Sequence, residues 1–300
     1  ADEKRKHHFG EVKFERNRVA YKRDKRGKRK SEEKVDESSP VIVAFRGYQQ
    51  ELDERYDRYE RIFKLSRDVT IESKRTIFLL HRVTGSDDRE NLLQQALDKL
   101  SEIEASKFRL IAEELKDEDI YQFIRAYSSG LQEYVEALTF YNFLKNCSLI
   151  KLEDVQKRLT FTATDDSDET QQKTQTCVDG QINVVIPPIE YILGVADLTG
   201  ELMRLTLNSV GKGDFETPYK VCRFMRCMHA GFVTMGSMSR DVVRKTTVLK
   251  QSLQKVENAC YTLQVRGSEI PKHMLINVFT CASSDNIPGY ADEETVEDDP

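Results

Sequence analysis

The chain has 300 residues, 39% of them hydrophobic and 32% charged, with seven prolines and no tryptophan, a composition suited to a helix-rich protein with one sizeable core. No apolar run approaches the roughly 20 uncharged residues that a membrane-crossing helix needs, and the formal net charge of −5 hides opposite excesses at the two ends. The six cysteines, Cys147, Cys177, Cys222, Cys227, Cys260 and Cys281, lack C-x-x-C spacing, and no signal sequence stands ahead of them; reduced intracellular thiols are expected, which argues against a cysteine zinc site.

Residues 1–38 carry two basic clusters, Lys4, Arg5 and Lys6, then Lys22, Arg23, Lys25, Arg26, Lys28, Arg29 and Lys30, with almost no apolar periodicity. A disordered segment is expected, acting as a bipartite nuclear localisation signal or an RNA-binding arm, against the plain alternative of a solvated tail. Ser39-Pro40 forms an N-cap and first-turn pair. Phe45, Tyr48, Leu52, Tyr56, Tyr59 and Phe63, continued with a shift by Val69, Ile77 and Leu80, predict one very long helix to about His81. Leu93, Leu97, Leu100, Ile103, Ile111 and Leu115 mark a second helix, and Asp117 is placed to cap a third.

A short helix is expected from Leu152 to Leu159, a surface loop from Thr160 to Gly180 and a short extended piece from Ile182 to Ile186. Pro187-Pro188 opens the next helix, and Thr217-Pro218 another to about Met235. The last spans Arg240 to about Val265, with Val243, Leu249, Leu253, Val256, Cys260 and Leu263 apolar and Gly267 as its stop. The sum is an all-α bundle of about seven helices over 39–282, followed by a disordered acidic tail at 283–300.

Two apolar helical segments hold paired acids, Glu133 and Glu136 in GLQEYVEALTF, and Asp197 and Glu201 in ILGVADLTGELMRL. Three or four residues apart, each pair shares a helix face, which destabilises unless something positive sits between the charges. In the first helix Ile120, Ile124, Tyr127, Leu131, Tyr134, Val135 and Leu138 form a stripe with both glutamates nearly opposite, as solvated acids would lie. Phe140 and Phe143, however, point close to the glutamates' direction, making the helix apolar on two sides and placing it centrally. In the second, Tyr191, Val195, Leu198, Leu202 and Leu205 form the core stripe, flanked by Glu190, Asp197, Glu201 and Arg204. Buried acids of this kind require a divalent metal or a basic partner. No histidine lies three residues after any of them, unlike the Glu-x-x-His pattern of di-iron bundles. An all-oxygen donor set points to Mg2+ or Mn2+.

The strings KLSRDVTIESKRTIFLLHR (Lys64 to Arg82), GLQEYVEA (Gly130 to Ala137), YILGVADLTGELMRL (Tyr191 to Leu205), LKQSLQKVENACYTL (Leu249 to Leu263) and VRGSEIPKHML (Val265 to Leu275) resemble the translin family, from about Pro40 to Phe279. The resemblance implies a seven-helix bundle that co-assembles with translin into a closed hetero-oligomer containing a Mg2+-dependent endoribonuclease for single-stranded RNA. It further implies removal of the passenger strand as small interfering RNA is loaded onto Argonaute in RISC, trimming of transfer RNA fragments, and a cytoplasmic and nuclear location. The family's catalytic acids carry over onto Glu133, Glu136, Asp197 and Glu201, all intact here, whereas translin itself lacks most of them. Glu136 and Glu201, with Asp197 close by, are expected to hold the metal, and Glu133 to be an outer ligand or a water-orienting base.

Candidate RNA-binding groups are Arg67, Lys74, Arg75, Arg204, Arg266 and Lys272, each also readable as a solvated or salt-bridged surface residue. The rival expectation is a non-catalytic helical scaffold for translin, whose acids make structural salt bridges and whose aromatic stripe from Phe45 to Phe63 packs on a partner helix or in its own core. No helix-turn-helix or zinc motif supports a DNA-binding protein.

Overall fold

Helical periodicity is realised nearly element for element in the structure, a computed structural model that describes residues 39–162 and 181–266, without the Arg266 side chain. The basic and acidic tails, Gly267 and Lys272, and most of the expected 160–180 loop lie outside the described residues. Helix α1 spans Pro40–Leu80. Helix α2 (Arg89–Ile103) runs through a π-helical segment, Glu104–Phe108, directly into α3 (Arg109–Glu114). Then follow α4 (Ile120–Asn146), α5 (Leu152–Arg158), α6 (Pro188–Gly211), α7 (Glu216–Met235) and α8 (Arg240–Arg266). With α2 and α3 continuous, the described residues form seven helical rods, and none is long and apolar enough to cross a membrane. The chain divides after Gln50, and the candidate site lies in the second unit.

Local chemistry explains the boundaries. Asp119 caps α4 by accepting from the Tyr121 N–H at 3.0 Å. The expected cap, Asp117, instead occupies a left-handed turn at φ 62°, too far ahead of Ile120 to reach an unpaired first-turn N–H. Pro188 stands at the start of α6, where its missing N–H costs nothing. The Asp214 carboxylate accepts from the N–H groups of Glu216 and Thr217, both at 3.1 Å, to start α7.

Three sequence expectations need correction. The first residues of the expected loop, Thr160–Thr162, form β1, antiparallel to β2 (Gln181–Asn183), with Phe161 opposite Ile182; β-branched and aromatic residues flanking a half-buried Phe favour extended backbone. In α8 the core residue is Val242, fully buried, while Val243 is 44% exposed, because the apolar series steps back seven residues from Leu249. Of the two expectations for the aromatic stripe of α1, packing in its own core holds only for Tyr59: Phe45, Tyr48, Leu52, Tyr56 and Phe63 are all exposed, and the buried face begins at Ile62 and runs through Val69 to Leu80.

Helix α4 is central, with every residue from Tyr134 to Tyr141 buried. Two glycines let its neighbours approach. A Cβ on Gly130 would lie 2.6 Å from the Ser66 carbonyl oxygen of α1, and one on Gly194 of α6 would lie 2.8 Å from the Gln132 carbonyl oxygen of α4. Both separations are too short for a methyl group, so these glycines set α1 and α6 at backbone contact with the stretch of α4 that bears the first acid pair. The π segment faces the same helix: Glu104 accepts from the Tyr134 hydroxyl at 2.6 Å and from Arg158 at 2.8 Å.

Candidate active site

Close approach of α4 and α6 at Gly194 brings the two acid pairs together. Glu136 is only 9% exposed. Burial, followed by the charges of Asp197, Glu133 and Glu201, drives its carboxyl up to about 8, with Lys245 partly opposing. Asp197, Glu133 and Glu201 thus all lie within electrostatic range of Glu136. Among the described residues, no hydrogen bond or ion pair reaches the Glu136 carboxylate.

Each of the other three holds a basic group. Glu133 pairs with Lys74 of α1 at 3.0 Å. Asp197 pairs with Lys245 of α8 at 2.6 Å. Glu201 bonds to Nε2 of His81, just beyond the end of α1, and has Arg204 at 3.7 Å. The His81 bond, more than any other influence, holds the Glu201 carboxyl below the usual carboxylate range. His81 is buried, its ring tilted against Phe140 with centroids 4.9 Å apart, and its Nδ1 has no partner. The Arg204 guanidinium lies over the Phe78 ring at 5.2 Å.

A hydrogen-bonded line runs on from Asp197. Lys245 Nζ also donates to Gln132 Oε1 at 3.2 Å and to the Leu193 carbonyl at 3.1 Å. The Gln132 amide nitrogen donates to Glu190 at 2.6 Å and to the Ser128 hydroxyl at 3.2 Å.

Of the predicted RNA-binding residues, Lys74 and Arg204 stand at the cluster. Arg75 does not, being tied to Glu72 at 2.5 Å on the exposed face of α1; Arg67 is exposed on the same helix. The Arg266 side chain and Lys272 lie outside the described residues. Sequence reasoning missed His81, Lys245 and Gln132. One signal was available: Lys74, Phe78 and His81 follow i, i+4, i+7 spacing, one helix face, and all three meet the cluster or its arginine.

As the side chains lie, no three His, Cys, Asp or Glu groups among the described residues converge closely enough to hold a metal ion. Asp197 and Glu201 are turned toward Lys245 and His81. The donor chemistry nevertheless fits a hard divalent cation. All four donors are oxygen, and Glu136 is a buried carboxylate among like charges with no counter-ion of its own. Metal binding would require Asp197 or Glu201 to offer an oxygen toward Glu136.

A family model described as Translin family matches residues 57–267. Translin-associated protein X of Pongo abelii is 51% identical over 250 residues, covering 82% of this chain and 86% of that protein. The Schizosaccharomyces pombe homolog of the same name is 30% identical, covering 75% and 89%, whereas translin of Mus musculus is 24% identical over 76% and 93%. Among solved structures, apo-NeC3PO aligns with a TM-score of 0.54 at 19% identity over 71% of this chain and 94% of that one. The AfC3PO–duplex RNA complex aligns at 0.53 and 17% identity over 75% and 100%; at such identities these two bear on the fold alone. The match over most of the bundle, together with relatives at half identity, shows that the chain belongs to the translin family.

Proposed function

We propose that this chain is the catalytic subunit of a hetero-oligomer with translin, a Mg2+-dependent endoribonuclease cutting single-stranded RNA. The observation that carries the reading is Glu136: a carboxylate 9% exposed and near three others, which no hydrogen bond or ion pair among the described residues reaches and whose ionisation Lys245 only partly eases. Kinship to proteins named translin-associated protein X supports the partner. A fold shared with the AfC3PO–duplex RNA complex is compatible with RNA as the ligand class; the single-stranded substrate is part of the proposal.

Glu136, Asp197 and Glu201 would hold Mg2+, or Mn2+ in its place, and Glu133 would orient the attacking water. Bound Mg2+ supplies charge stabilisation at the phosphate and a more acidic water. Lys74 and Arg204, with side chains 56% and 47% exposed, are free to turn from their acids to RNA phosphates. His81, its ring tilted against Phe140, holds Glu201 ionised. Attack by water, rather than by the RNA 2′-hydroxyl, leaves 5′-phosphate and 3′-hydroxyl ends. Passenger strands of small interfering RNA bound for Argonaute in RISC, and transfer RNA fragments, are the proposed substrates. The basic clusters at 4–6 and 22–30 would divide the protein between nucleus and cytoplasm.

A scaffold reading has one observation in its favour, that Glu133, Asp197 and Glu201 each hold a basic side chain. The two readings part under Glu136→Ala, in the chain co-expressed with translin and assayed on labelled single-stranded RNA with Mg2+ or EDTA. Loss of cleavage at unchanged assembly size supports catalysis; equal cleavage by the variant refutes the assignment.

A further inference from the structure

We propose that Lys245 is a positioning residue that fixes the Asp197 carboxylate for the metal, an inference that rests on the metal-site reading above. It belongs to α8, a helix that contributes no acid to the cluster. An ammonium has three N–H bonds, and Lys245 has three acceptors: Asp197 Oδ2 at 2.6 Å, the Leu193 carbonyl at 3.1 Å and Gln132 Oε1 at 3.2 Å. Its side chain is 18% exposed, against 56% for Lys74 and 47% for Arg204. Those two each meet an acid of the cluster and can swing away. Lys245 cannot turn to a phosphate without abandoning a partly buried acceptor.

The acceptors are themselves fixed. Leu193 O is backbone of α6, and the Gln132 amide is oriented by Glu190 and Ser128 through its nitrogen, which leaves its oxygen for Lys245. The ammonium therefore occupies a set point defined by α4 and α6 and holds one oxygen of Asp197 there, leaving Oδ1 as the oxygen that can serve a cation. Outer partners of this kind typically contribute 10- to 100-fold in metal affinity or activity.

Charge and position predict opposite signs, which makes the idea testable. If Lys245 only neutralised the cluster, removing it would strengthen cation binding, because one competing positive charge is gone. If it positions Asp197, removing it weakens cation binding although the site becomes more negative. The experiment measures Mn2+ affinity by electron paramagnetic resonance in the full chain co-assembled with translin, for wild type, Lys245→Met, Lys245→Arg and Glu136→Gln. Arg keeps the charge, but a planar fork does not fit three convergent acceptors. The expected result is Mn2+ binding weakened about 10- to 100-fold in both Lys245 variants, with helical content and assembly unchanged. Mn2+ affinity equal to or above wild type in Lys245→Met, or a wild-type value in Lys245→Arg, overturns the proposal. Should Lys245→Met fail to assemble, Lys245→Arg decides alone. Wild type that binds no Mn2+, or binds it no better than Glu136→Gln, sinks the metal-site reading itself, and the positioning role with it.

Discussion

Replacing Glu136 by Gln is expected to stabilise the metal-free protein at neutral pH, the reverse of what most core substitutions do. The folded carboxyl titrates at about 8, against an ordinary value of 4.5. Between those values the folded state keeps a proton that the unfolded state has lost, so the folded state binds more protons and stability falls as pH rises through the window. At pH 7 the interval above 4.5 spans 2.5 units, worth about 3 kcal/mol at roughly 1.4 kcal/mol per unit. Gln keeps the shape and never ionises, so most of that cost should vanish. The assay is urea unfolding of the full chain in EDTA at pH 5, 6, 7 and 8. The stability gap between variant and wild type should be under about 1 kcal/mol at pH 5 and grow to about 3 kcal/mol at pH 7. Added Mg2+ should close it by stabilising wild type alone. A gap that does not change with pH, or a variant less stable than wild type at pH 7, would show that Glu136 is not an uncompensated buried acid.

Other residues give independent checks. Gly194→Ala places a methyl group 2.8 Å from the Gln132 carbonyl and Val135. It should cost about 1 to 3 kcal/mol in denaturant melts and lower cleavage by parting α4 from α6, whereas Gly200→Ala, with open space around it, should gain about 0.5 to 1 kcal/mol and leave cleavage intact. Tyr134→Phe deletes a hydroxyl that donates to Glu104 at 2.6 Å and should destabilise by about 1.5 to 3 kcal/mol, the range for a bond to a charged group, read from the same melts. Asp214→Ala removes the cap of α7 at an expected cost of about 0.5 to 2 kcal/mol. Arg204→Ala should weaken RNA binding evenly across sequences and reduce the slope of log affinity against log salt by about 1 in a fluorescence titration; a loss confined to one sequence would assign Arg204 to base reading instead.

The fold was legible where burial follows helical period. Residues such as Leu249, Leu253, Val256 and Cys260 are buried at three-four spacing, so α8 could be drawn from sequence to within a residue or two at each end. Legibility failed where tertiary context chose between neighbours. Val242 and Val243 have the same local propensity, and only packing on the bundle decides which is buried. Large apolar residues at Phe45, Tyr48, Leu52 and Tyr56 repeat like a core yet are exposed, since periodicity reports an apolar face without saying what covers it. The π segment at Glu104–Phe108 has no sequence signature of its own. Its inward glutamate is satisfied by Tyr134 and by Arg158, 30 and 54 residues away in sequence.

The candidate site divides along the same line. Its acids are local pairs at i, i+3 and i, i+4, visible to anyone stepping around a helix. Arg204 apart, the partners of Glu201 and Asp197 arrive from elsewhere, His81 lying 120 residues from Glu201 and Lys245 48 residues from Asp197. The sequence left two ways to compensate buried acids, a metal or a basic partner, and the structure separates them acid by acid. Three have basic partners, so a scaffold accounts for those three. Glu136 has none, and a side chain that must keep a proton to stay buried at pH 7, at a cost of about 3 kcal/mol, gives a scaffold nothing that Gln would not give at lower cost. What a carboxylate there can do and an amide cannot is meet a divalent cation with full negative charge. Four acids alone would suit a scaffold; the one acid that no ion pair or hydrogen bond among the described residues reaches is what favours catalysis.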